Sequence, residues 1–135
     1  MDTRTVHLLR LRPEIPQESV YDTMSDNARF QNVTLRPIIK LQRYLLVEAF
    51  KNYANKHKGV YFTLALEKRL LYIENAIQKD IKFRNALKGM IIGQFTVDEY
   101  LIYIEDSSAI NKRMMNLVVE SLKDQVQLIE LAVCL

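Results

Sequence analysis

Between Leu35 and Leu135 the chain has a single proline, Pro37, and its only three glycines, while apolar residues recur every three or four positions. That spacing collects apolar side chains on one face of a helix and scatters them across a strand. A chain patterned this way can bury its apolar residues only by packing amphipathic helices on one another. The expected fold is therefore all-α, a bundle of four to five helices.

A length of 135 residues suits one domain with a sizeable core, and 49% hydrophobic with 26% charged residues is globular composition, not that of a disordered chain. The only cysteine, Cys134, cannot form an intramolecular disulfide, which excludes a disulfide-framed scaffold. The first residues, Met1 to His7, lead into no long apolar run, so no signal peptide is expected. No apolar stretch approaches the ~18 residues that a membrane span needs. A reducing, cytoplasmic setting is the expectation, with no membrane contact.

Pro13 and Pro16 set the first residues apart. Residues 1–24 are read as an extended arm, with Val6 to Leu11 as a short extended segment, and residues 25–135 as the helical domain. Ser25-Asp26-Asn27 can cap a short helix, and Thr34 can cap the first long one with Pro37 in its first turn. The alternative is one helix from about Asn27, kinked at Pro37. Gly59 should close the long helix, with His57 capping its end. Leu66, Leu70, Ile73, Ile77 and Ile81 form the stripe of a second helix, which continues or restarts at Asp80. Thr96-Val97-Asp98-Glu99 spells a capping box that opens a short helix. Ser107 and Ser108 are expected to cap the last helix, whose stripe runs from Met115 to Val133.

Charge is unevenly spread. Residues 36–93 carry twelve basic and four acidic side chains, and residues 94–135 carry three and seven. On the first long helix Arg36, Lys40, Arg43, Lys51 and Lys58 fall within ~80° of arc, with Val47 and Ala54 in the gaps. Such a row could track phosphates or meet an acidic protein. It is equally the wet face of an amphipathic helix, or the intramolecular match of the acidic C-terminal third. No aromatic residue lies on the row to stack a base.

Catalytic and metal-binding patterns are missing. His7 and His57 belong to no Glu-x-x-His or His-x-x-x-His spacing, so neither a metal nor another cofactor is expected. Glu105 and Asp106 are adjacent and point apart on a helix, Cys134 has no neighbouring base, and the tyrosines fit core-edge positions. Asn111-Lys112-Arg113 opens the last helix against the macrodipole, which hints at an acidic contact there. The apolar end of the chain spreads over more than one helical face. Leu128, Leu131 and Leu135 lie away from the core stripe and are candidates for self-association.

The stretches Thr34–Gln42, Leu66–Arg69, Asp80–Asn85 and Asn111–Asn116 resemble a small family of uncharacterised all-helical bacterial proteins, some labelled glyoxalase. Glyoxalase I sites are built on βαβββ modules with His and Glu metal ligands, and this sequence offers neither. The resemblance therefore implies no catalytic residue. The functional expectation is a non-enzymatic interaction protein that self-associates through its apolar C-terminal helix. A nucleic-acid or polyanion binder using the basic row is the alternative, and an enzyme with a Tyr/Asn/Arg-lined pocket the third reading.

Overall fold

The computed structural model describes residues 2–14 and 24–130, and among them every regular element is helical. In chain order these are α1 (Thr3–Leu11), α2 (Asp26–Phe30), α3 (Arg36–Lys56), α4 (Leu66–Lys79), α5 (Ile81–Ile92), α6 (Val97–Tyr103) and α7 (Ser107–Asp124). Short 3₁₀ turns cover Val60–Thr63 and Val126–Leu128. No helix among the described residues is long and apolar enough to cross a membrane.

Helix α3 is the axis of the fold. It packs against α7, α5 and the Val60–Thr63 turn, while α4 lies across α5 and α7. Its inward residues Ile38, Leu46, Phe50 and Ala54 are fully buried, and Ile73, Ile77, Leu87, Ile91, Met114 and Val118 arrive from its neighbours. Phe50 anchors an aromatic cluster, with its ring 5.1 Å from Tyr61 and 6.1 Å from Tyr72, both edge-on. Edge-on packing sets positive ring edges against negative faces. Arg69 locks the turn beneath this cluster by donating to the carbonyls of Phe62 and Leu64.

The rod that enters this core is continuous. Ser25 caps α2 by accepting from the Ala28 N–H, and α2 runs into α3 through a π-helical turn at Gln31–Leu35. This is the single-helix alternative, with Pro37 the reason for the distortion. Proline has no N–H to donate and its ring crowds the carbonyl one turn earlier. Widening the preceding turn, where the Arg36 N–H reaches Gln31, makes room for that ring. Thr34 is thus no cap; it is buried within the π turn.

Two other expectations are corrected, and the alternative left open at Asp80 is decided as a restart. The arm is helical over Thr3–Leu11, because the Asp2 carboxylate accepts from the Thr5 N–H at 2.7 Å and Pro13 falls beyond the last turn. Arg12, immediately before Pro13, is extended, as a residue preceding proline prefers. The helix breaks at Asp80, whose side chain caps α5 at Phe83 instead of continuing α4; Leu66 and Ile81, the ends of the expected stripe, are consequently exposed. Helix α7 stops at Asp124, well short of Val133, and Asp106 stands at its N-cap in place of the serines. A 3₁₀ turn then drops Ile129 into the core. Gly59, at φ +65°, and the preceding Lys58, at φ +63°, close α3 in left-handed geometry. His57 caps its end through Nδ1 and the Tyr53 carbonyl at 2.8 Å.

Tyr61 is fully buried, and its hydroxyl has no hydrogen-bond partner among the described residues. A buried polar group left unpaired costs about 1–3 kcal/mol. Tyr61→Phe should therefore be neutral or stabilising by up to about 1 kcal/mol in denaturant unfolding, whereas Tyr61→Ala should lose about 3–5 kcal/mol by leaving a cavity.

Candidate functional site

Helix α6 is a short amphipathic helix that faces the wrong way. Val97, Tyr100, Leu101 and Ile104 share one face at the spacing of a core stripe, yet all four are about half exposed, from 46% to 57%. The opposite side of the helix presents Glu99, a charged residue, to the interior beside the buried Tyr103, whose ring packs edge-on against Phe95.

Glu99 is held there by a full set of donors. Arg12 reaches it with two guanidinium nitrogens, at 2.7 and 2.6 Å, and also donates to the Gln94 carbonyl at 3.0 Å. The Thr96 N–H donates at 2.8 Å, and the Thr34 hydroxyl at 3.1 Å from the π turn. Thr96 in turn accepts from the Glu99 N–H, completing the capping box. Only 8% of the Arg12 side chain and 15% of the Glu99 side chain remain exposed. Burial pushes the Glu99 carboxyl up, but the hydrogen bonds from Arg12, the Thr96 N–H and the Arg12 charge outweigh it and hold the group below its ordinary range. Paired in this way, a buried carboxylate is tolerated; unpaired it would not be. The same contact fastens α1, which buries no residue of its own and is otherwise tied by Arg4 to the Gly93 carbonyl at 3.0 Å. Leu9 and Leu11 of α1 stay exposed.

The basic row does not form one surface. Val47 and Ala54, in the middle of its arc, are buried against the neighbours of α3. Arg36, Lys40 and Arg43 line a groove of about 270 Å³ beside α7, which sets Glu120 and Asp124 into the same groove. Arg36 bonds Asn32, and Arg43 sits 4.9 Å over the ring of Tyr44. Lys51 pairs with Glu48 at 3.5 Å, and Lys58 is exposed in the left-handed turn. Of the self-association candidates, Leu128 is 46% exposed on the last 3₁₀ turn, while Leu131 and Leu135 lie outside the described residues. Cys134 lies outside them too. Arg113 meets Gln31 at 2.9 Å, not a carboxylate.

A second polar cluster joins α3 to α5. Tyr53 is sandwiched between His57 and Phe83, each ring centroid 4.0 Å away, and donates its hydroxyl to Asp80 at 3.0 Å. Burial, then the bond to Asp80, pushes the Tyr53 phenol up to about 12. Asp80 is held below the carboxylate range by the Phe83 N–H and by Tyr53. A phenol this hard to ionise is a structural donor and a poor base. Among the described residues no group of three or more His, Cys, Asp or Glu side chains converges.

Comparison with protein-family models, with curated proteins and with solved structures returns no match. Residue order alone marks neither the outward stripe of α6 nor the Arg12–Glu99 pair. The apolar spacing of α6 was visible, but periodicity carries no sign for inward or outward.

Glu99→Gln leaves the Arg12 charge without its counterion and should cost about 2–3 kcal/mol at neutral pH. The folded pKa of Glu99 lies below the unfolded value near 4.5, so its stabilisation is complete above that pH and is lost as pH falls through the folded value. Urea unfolding of both proteins should show the gap constant from pH 6 to 8 and closing below about 4.5.

Proposed function

We propose that the chain is a non-enzymatic helical interaction protein of the cytoplasm that self-associates through the outward stripe of α6. The observation that carries this reading is the orientation of that helix. Four large apolar side chains about half exposed amount to roughly 300–400 Å² of apolar surface on one face, the size of the largest patch on a monomer, which is often functional. Spacing of i, i+3, i+4 and i+7 suits packing against another helix by ridges and grooves, including a copy of itself. Asp98 and Glu105 flank the stripe, and the basic middle of a second molecule supplies cations to meet them. The contact thus moves from the C-terminal helix, where α7 ends early, to α6.

The polyanion reading has less support. Three cations that share a groove with two carboxylates present a mixed field, and phosphate tracking needs a uniformly positive one. A catalytic reading has less still, because Tyr53 and Asp80 are committed to each other and to the start of α5.

Sedimentation velocity up to about 100 µM should show a dimer or larger species, since weak helix contacts associate in the micromolar range. Leu101→Glu should return the protein to a monomer with an unchanged helical spectrum and an unfolding midpoint that no longer depends on protein concentration, and Leu128→Glu should leave the assembly intact. A wild-type monomer at every concentration, or an oligomer indifferent to Leu101→Glu, contradicts the proposal.

A further inference from the structure

Away from α6, a cleft of about 630 Å³ opens between the C-terminal half of α3 and α5. Its floor is apolar, built from Leu45, Ala49, Phe83, Ala86 and Met90. Its rim carries two lysines, Lys56 from α3 and Lys82 from α5, with the His57 ring at the end of α3 beside them. The volume lies in the range of small-molecule sites, and an apolar floor with a few polar groups at one edge is their usual composition.

Two observations define what fits. Among the described residues one carboxylate lies on the cleft, Asp80, and it is already committed, accepting from the Tyr53 hydroxyl and from the Phe83 N–H with His57 Nε2 4.0 Å away. Lys56 and Lys82 are both exposed, and neither is ion-paired among the described residues. The cleft therefore has an unneutralised positive edge above a hydrocarbon surface. Leu45, on its floor, is 51% exposed, a cost that an apolar ligand would relieve. The stacked rings of His57, Tyr53 and Phe83 make the wall beside Asp80 rigid, so the site needs little ordering on binding.

We propose that this cleft binds a small amphipathic organic anion, a medium-chain or aromatic carboxylate, with its apolar body on Leu45, Ala49, Phe83, Ala86 and Met90 and its carboxylate between Lys56 and Lys82. The site is independent of the α6 contact. The geometry assigns it binding alone, with no bond made or broken.

Calorimetric titration of the full chain with decanoate and with uncharged decanol tests it, with a spectrum of backbone amides to locate the ligand. Decanoate should bind at one site, with shifts confined to α3 and α5. Lys56→Gln with Lys82→Gln should weaken decanoate by about tenfold and leave decanol unchanged, as two solvent-facing ion pairs would. Ala86→Trp, at an exposed position facing the cleft, should abolish binding of both ligands, and Leu101→Glu should alter neither. The proposal is overturned by the absence of saturable decanoate binding up to millimolar concentration, by decanoate binding that survives Ala86→Trp in a protein with the wild-type helical spectrum, or by lysine substitutions that affect both ligands alike.

Discussion

The buried carboxylate of Glu99 is the constraint on which the N-terminal half of this structure depends. A charge in a protein interior must be matched by donors, and here one donor is local and two come from distant parts of the chain. Arg12 brings the N-terminal helix, Thr34 brings the π turn of the long rod, and Thr96 brings the start of α6. One side chain thereby ties α1, the π turn and α6 together, beside the edge-on contact of Phe30 with Phe95. The orientation of α6 follows, because a helix that must turn Glu99 inward must turn Val97, Tyr100, Leu101 and Ile104 outward.

The π turn belongs to the same logic. Pro37 cannot complete a normal helical turn behind it, so the rod widens just before it. Widening shifts the register of the residues upstream and sets Thr34 against Glu99, where its hydroxyl can donate. Beyond that point α3 is regular, and its inner face packs along its length through Ile38, Leu46, Phe50 and Ala54. The backbone distortion and the most buried ion pair thus sit together at one end of the bundle, while aromatic and aliphatic packing around Phe50 holds the other.

Much of this was legible from residue order alone. Helical class, the capping box at Thr96 and Glu99, the left-handed stop at Gly59 and the buried middle of the Leu66–Ile81 stripe are local consequences of side-chain chemistry. What escaped was decided at long range. Val47 and Ala54 sit among basic residues on a helical wheel, but α3 has neighbours on several sides and buries them. Residues 3–11 fall in the stretch read as an extended arm, and are helical with an Asp2 cap and anchors at Arg4 and Arg12. The outward face of α6 carries the spacing of an inward one, and only Arg12, 87 residues from Glu99, reveals its direction. The α3–α5 cleft was equally invisible, since it depends on the break at Asp80 that sets α5 beside α3.

The direct test of this arrangement is a double-mutant cycle on Arg12→Ala and Glu99→Ala, read by equilibrium unfolding at neutral pH. If the pair is buried and organises α1 and α6, each single change leaves an uncompensated charge, and the coupling energy should be about 2 kcal/mol or more. Effects that simply add, to within about 0.5 kcal/mol, would mean the two side chains do not meet, and the inside-out orientation of α6 would lose its cause.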